Sequence, residues 1–284
     1  MSRLETALRA TRDAGGKLLV PYITGGITAD WTDHLLAYQE AGADAIEVGL
    51  PFSDPMLDGV TIQQASDRAL EQGVTPDRIL SDLAAVRDRV RVPLVAMTCA
   101  NLVVRRGYTE FCQRLADAGV SGLIVPDVPL DELGGLDDAA AAAGVDLVLL
   151  VAPSTTPERL DDICARSRGF IYAVSVMGTT GERADLAATA TALAASVTAR
   201  TDRPVLIGFG VSTAAHAVAA AATADGVVVA SALMRRVLEG ATPEEVAVDL
   251  AAIRAGLDTV ATWTSTGSTA GRVEQHGYAG AARA

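Results

Sequence analysis

The chain reads as an α/β protein, a single closed (β/α)8 or TIM-type barrel of parallel strands. Three observations predict it. Eight short apolar runs alternate with Ala-rich amphipathic stretches along the chain. The runs are near-continuously apolar rather than alternating, as strands buried on both faces are. The 284 residues accommodate one barrel of about 250 residues. An open doubly wound sheet is the competing architecture, but no GxGxxG follows the first run to favour it.

The first strand is expected at 17–24 (KLLVPYIT), and Thr28-Ala29-Asp30 then caps a helix that stops at Ala41-Gly42. The second strand is 45–50 (AIEVGL). Thr75-Pro76 opens a helix ahead of the third strand, 93–100 (PLVAMTCA), with proline in the first turn. The fourth strand, 122–127 (GLIVPD), is followed by a helix-favouring Ala tract at 139–144. The fifth strand is 146–153 (DLVLLVAP), and Thr156-Pro157 repeats the capping device before the sixth, 169–176 (GFIYAVSV). The seventh, 204–210 (PVLIGFG), precedes the Ala tract 217–224, and the eighth is 226–231 (GVVVAS). Thr242-Pro243 starts the last helix. Residues 1–257 thus form one barrel domain. Residues 258–284, rich in Ser, Thr, Gly and Ala and without periodicity, read as a flexible, disordered tail.

Composition narrows the chemistry. A hydrophobic fraction of 50% with 20% charged residues describes a folded globular chain. A formal charge of −12 disfavours nucleic acid and anionic membranes, which call for basic patches. Lys17 is the only lysine, and it stands at the start of the first strand, the wrong end for Schiff-base chemistry. Cys99, Cys112 and Cys164 lack CxxC spacing and fit a reducing cytoplasm without disulfides or zinc. His34, His216 and His276 are dispersed and read as helix-surface or tail residues, so no metal site is expected. The N-terminus has no apolar signal core, and no run is long enough to span a bilayer.

The chemistry concentrates at Ala45–Gln63, AIEVGLPFSDPMLDGVTIQ. Glu47 is the lone acid of an apolar strand, where desolvation raises a carboxyl pKa toward proton-transfer duty. Asp54 and Asp58 lie on the Pro/Gly-rich loop that follows, so a second carboxylate enters from a different environment. The same residues also fit an ion-paired strand-end glutamate and turn-forming aspartates. In a barrel the site lies at the C-terminal ends of the strands, where Asp127 ends the fourth and Tyr172 lies in the sixth. Gly-rich turns follow strands six and seven at 178–183 (GTTGER) and 208–213 (GFGVST), and Ala230-Ser231 ends strand eight. Such turns, with a helix starting near Ser231, suit a phosphate, although any one glycine alone could simply turn the chain. The segment 178–186 is a candidate lid. These features together describe an isomerase or lyase that moves protons on a phosphate-bearing small molecule.

The motifs PYITGG (21–26), AGADAIEVGLPFSDPMLDGVTIQ (41–63), GLIVPDVP (122–129), FIYAVSVMGTTG (170–181), GFGVST (208–213) and DGVVVAS (225–231) resemble the tryptophan synthase α subunit family. The likeness runs from about Lys17 to Leu257, in order and at family-like spacing. It implies a cytoplasmic lyase of aromatic amino-acid biosynthesis that cleaves indole-3-glycerol phosphate to indole and glyceraldehyde 3-phosphate. It further implies a β-subunit partner in an α2β2-type complex, with pyridoxal phosphate held only by that partner and no cofactor in this chain. By resemblance, Glu47 is the general acid/base and Asp58 the carboxylate that binds the indole N–H. Tyr22, Tyr172, Asp127 and Cys99 match substrate-pocket positions, and Gly181, Gly210, Ala230 and Ser231 match phosphate-binding ones. The departures are Cys99 where tyrosine is usual, Ala230 where glycine is common, and Gly26-Ile27-Thr28 in place of Asp-Pro. A Cβ at residue 230 is expected to crowd the anion or forbid positive φ. A free-standing lyase that releases indole shares this chemistry. A catalytically silent barrel that activates a partner would not need both Glu47 and Asp58.

Overall fold

The computed structural model describes residues 2–174, 183–208 and 210–267, with the backbone alone for 183–190 and 261–267. Eight parallel strands close into a barrel in chain order: β1 (Leu18–Thr24), β2 (Ile46–Gly49), β3 (Leu94–Met97), β4 (Val120–Ile124), β5 (Asp146–Val151), β6 (Ile171–Ala173), β7 (Val205–Ile207) and β8 (Gly226–Val229). β8 pairs back onto β1, Leu18 opposite Gly226 and Pro21 opposite Val229. All eight expected strands are present, most of them shorter than their apolar runs. The third ends at Met97 rather than at 100 because residues after Cys99 already wind into a helix.

The surrounding helices are more numerous than one per strand. Helix α1 (Arg3–Asp13) precedes β1, and α2 (Trp31–Glu40) follows it. β2 is followed by α3 (Val60–Glu71) and α4 (Pro76–Val86), and β3 by α5 (Ala100–Arg106) and α6 (Tyr108–Asp117). Then come α7 (Leu136–Ala143), α8 (Pro157–Arg166), α9 (Arg183–Thr198), α10 (Ala214–Ala221), α11 (Ser231–Leu238) and α12 (Pro243–Gly267). The capping threonines act as expected. Thr75 and Thr156 accept from the N–H of Arg78 and Arg159. Thr242 accepts from the Glu245 N–H while Glu245 accepts from the Thr242 N–H, a reciprocal capping box. Asp30 occupies the cap position of α2 without a side-chain capping bond, since its own backbone oxygen takes the Asp33 N–H instead. The tail expected from 258 starts as helix, because α12 continues to Gly267; residues 268–284 lie outside the described residues. α12 packs against α2 and α10 and so closes the outer ring.

Side-chain parity divides the core in two. Leu18 and Val20 of β1 project into the barrel with Ala45, Val95, Ile124, Val148, Phe170, Tyr172, Leu206 and Val228, and Tyr22 shares their strand parity. Alternate strand residues such as Leu19, Ile23, Ile46 and Val48 pack outward against the helices. The N-terminal mouth is plugged by α1, whose Leu4 and Leu8 are fully buried among the interior residues. Gly122 and Gly169 make the seat, since a Cβ on either would stand 2.7 Å from Leu4 Cδ2. Each leucine removed from water here contributes about 1.5–3 kcal/mol. Ser2 caps α1 by accepting the Glu5 N–H and donates its hydroxyl to Asp146 on β5. With that end filled, the polar chemistry collects at the other.

His34 departs from its surface expectation. It is 1% exposed on the inner face of α2, edge-on to Tyr38 with ring centroids 5.9 Å apart. Trp31, His34, Leu35 and Tyr38 form one helical stripe that must face the barrel. Cys112 and Cys164 are buried and Cys99 half-buried, all as free thiols.

Candidate active site

The barrel register brings the first two functional side chains together. Tyr22 on β1 pairs with Glu47 on β2, and both follow the inward parity of their strands. Inward glycines make the space. A Cβ on Gly49 would lie 1.9 Å from the Tyr22 hydroxyl, and one on Gly208 would lie 1.7 Å from Tyr172 Cε2. Neither glycine stands out as a site residue from the motifs alone. The signal for both is a glycine inside an apolar strand run, which marks a close approach. Thr24, fully buried two residues beyond Tyr22, donates its hydroxyl to the Tyr22 oxygen at 3.2 Å.

Glu47 is 2% exposed, and its Oε2 has no hydrogen-bond partner among the described residues. The ion-paired alternative is thereby excluded for that oxygen: no arginine reaches it among the described residues. Burial pushes its carboxyl up to about 8, and the Asp58 charge adds to the rise. Glu47 therefore holds its proton at neutral pH. Asp58, half-buried on the loop after β2, is also raised by burial. Gln63 donates its side-chain amide to the Asp58 backbone oxygen at 2.9 Å, tying this loop to the first turn of α3. Tyr22 and Tyr172 are both held above the ordinary phenol range, first by burial and then by the negative charges of Glu47 and Asp58. The Cys99 thiol, pushed up to about 11 by burial, feels Asp127 and Asp58. Glu47, Asp58, Tyr22, Tyr172 and Cys99 thus lie near enough to one another for their charges to interact.

Asp127 serves a different partner. It is exposed on the turn after β4, and both its carboxylate oxygens accept the Ala100 N–H, at 2.9 and 3.0 Å. It holds the first turn of α5, and hence Cys99, against the β4 loop. The phosphate candidates lie on the neighbouring loops, since β7 pairs directly with β8. Gly210 has φ +68 with open space where a Cβ would be. Ala230 has φ −117 and precedes α11 without a capping side chain, so the feared demand for positive φ at 230 does not exist. Ser231 is exposed at the first helical position. Gly181 and segment 178–182 of the candidate lid lie outside the described residues.

Lys17 donates Nζ to the Ala224 oxygen at the opposite end of the barrel. Among the described residues no three His, Cys, Asp or Glu side chains gather as a metal site, and no helix is long and apolar enough to cross a membrane.

Residues 8–261 match the sequence profile of a family described as "Tryptophan synthase alpha chain". The chain belongs to the tryptophan synthase alpha chain family. Relatives bearing that name include a protein of Dehalococcoides mccartyi, 41% identical over 91% of this chain and 100% of its own length. Another, from Halorhodospira halophila, is 44% identical over 92% of this chain and 98% of its own. Among solved structures, tryptophan synthase from M. tuberculosis superposes with a TM-score of 0.81 at 36% identity, covering 90% of this chain and 100% of that one. Tryptophan synthase subunit alpha from Legionella pneumophila gives 0.82 at 30% identity, covering 91% and 99%. As a member of the tryptophan synthase alpha chain family, the chain is a carbon–carbon lyase acting on indole-3-glycerol phosphate.

Proposed function

We propose that this chain is the cytoplasmic α subunit that cleaves indole-3-glycerol phosphate, with Glu47 moving the protons and Asp58 holding the ring nitrogen. The supporting observation is Glu47 itself, a buried carboxyl with an unpartnered oxygen, raised to about 8, beside two buried tyrosines. A neutral acid is what the first step needs. Glu47 gives its proton to C3 of the indole ring, while Asp58 accepts the ring N–H and stabilises the positive charge that spreads to nitrogen. The glycerol hydroxyl next to the ring then loses its proton to the Glu47 carboxylate as the carbon–carbon bond breaks. Its electrons return to the ring to give indole, and the other fragment leaves as glyceraldehyde 3-phosphate. The proton lent to carbon is thus recovered from oxygen, and Glu47 ends protonated.

Ser231 and the first N–H groups of α11, with Gly210 opposite, form the phosphate cradle of this reading. α10 fits that role less well, because Thr213 already caps its N-terminus by accepting the His216 N–H. Met56, Leu57 and Val60, exposed to 90%, 68% and 69%, surround Asp58 and offer the β subunit an apolar contact next to the catalytic loop. Pyridoxal phosphate belongs to that partner in this reading.

The test is steady-state indole release by the purified chain, with and without a tryptophan synthase β subunit. Slow cleavage that rises strongly with β supports the paired subunit, and fast cleavage indifferent to β indicates a free-standing lyase. Glu47→Gln should lose at least about 100-fold in kcat while folding normally. Near wild-type cleavage by that variant excludes the role given to Glu47.

A further inference from the structure

Position 99 stands where two duties meet that one side chain cannot perform. Cys99 is extended, at φ −83 and ψ 148, and occupies the cap position immediately before α5. The β3–β4 ladder runs on toward it, since Thr98 donates its N–H to the Ile124 oxygen at 3.1 Å. Val95 belongs to the interior cluster and Met97 packs against it, so strand alternation turns Cys99 inward as well, at the mouth of the barrel. A residue that caps its own helix bends its side chain back onto the N–H groups of the first turn. Cys99 makes no such bond. Asp127 supplies the cap from the next strand, with both carboxylate oxygens accepting the Ala100 N–H, at 2.9 and 3.0 Å. A tight turn presents this acid: Val128 donates its N–H to the Val125 oxygen at 3.2 Å, and Pro126 stiffens the turn's second position.

We propose that Asp127 is a positioning residue of the lyase site: by capping α5 from the β4 turn it frees the side chain at position 99 to wall the pocket against the indole ring, and holds that wall ready before substrate arrives. The proposal rests on the lyase reading for the ring. Asp127, matched by resemblance to a substrate-pocket position, thus acts through Cys99 and not on the substrate. The thiol itself reports on the arrangement, since it is pushed up to about 11 by burial first and then by the charge of Asp127.

Asp127→Ala removes the acceptor, and order that was built in must then come from substrate binding. KM for indole-3-glycerol phosphate should rise about fivefold, the size of a lost helix cap, with kcat within about twofold. Asp127→Asn keeps a side-chain oxygen for the Ala100 N–H and should bring KM back to within about twofold of wild type. Cys99→Ala cuts the wall back, so adding Asp127→Ala to it should raise KM by less than about twofold more. A merely structural role would cost the same in both backgrounds. The second readout is alkylation of the folded chain by N-ethylmaleimide, with Cys99→Ala as the blank. Cys112 and Cys164 are buried and Cys99 half-buried, so the fast reaction is that of Cys99, and Asp127→Ala should speed it about fivefold. An unchanged KM in Asp127→Ala, an Asn variant as impaired as the Ala variant, or an unchanged alkylation rate overturns the proposal. Alkylation does not depend on cleavage. A wild type that releases no indole therefore counts against the lyase reading, and the thiol rate still decides whether Asp127 holds position 99.

Discussion

Glu47→Gln should stabilise the protein, and by an amount that depends on pH. The carboxyl titrates at about 8 in the folded chain against an ordinary value of 4.5. Between these values the native state keeps a proton that the unfolded chain has released, so stability falls as pH rises through this window and is restored below it. Each unit of separation corresponds to about 1.4 kcal/mol. At pH 7 the wild type therefore bears a penalty of about 3 kcal/mol, which levels off near 5 kcal/mol above pH 8. Glutamine, never charged, carries none of it, and like the protonated acid it offers a polar group to the same apolar surroundings. The assay is urea unfolding of both proteins, followed by far-UV circular dichroism at about pH 5, 7 and 9. The gap should be under about 1 kcal/mol at the lowest pH and widen to about 3 and then about 5. A constant gap across the three, whatever its size, would falsify the claim that burial holds Glu47 protonated.

Three further outcomes follow from particular contacts. Gly208→Ala places a methyl 1.7 Å from Tyr172 Cε2, so the ring must leave its position. Thermal unfolding should show a loss of about 1–3 kcal/mol, and indole release should fall with it. Ser231→Ala removes a hydroxyl at the first turn of α11 and should raise KM for indole-3-glycerol phosphate more than it lowers kcat in steady-state assays. Leu4→Ala empties the seat over Gly122 and Gly169, at a cost of about 2–5 kcal/mol by urea titration with catalysis intact in the folded fraction.

The barrel was legible because its strands are apolar on both faces, and because Thr-Pro pairs mark helix starts that the structure confirms at Thr75 and Thr156. The doubled helices were not. α5 and α6 are split at Gly107, whose φ of +84 breaks an otherwise continuous helical pattern, and a lone glycine does not announce its backbone angle. The burial of Glu47 could be read from its neighbours in the strand. Asp127 could not be read the same way: its acceptance of the Ala100 N–H depends on β3 and β4 lying side by side, a relation absent from local sequence. Ala230 shows the converse error. The residue type raised a worry about positive φ, and only the backbone, at φ −117, removes it. His34 escaped notice as a core residue because it is a polar type that follows the polar Thr32 and exposed Asp33 in the sequence.

The seat of α1 has a consequence for how the molecule comes into being. Helix α1 is synthesised before any strand of the barrel, yet the surface that receives Leu4 is made by Gly122, Val95 and Gly169, and Asp146 answers Ser2 from β5. That surface is not complete until the chain has grown past Phe170. Through most of translation the helix must keep its leucines waiting, either exposed or in temporary company. It can lock in only when the sixth strand arrives, so a helix made before every strand is among the last to find its place.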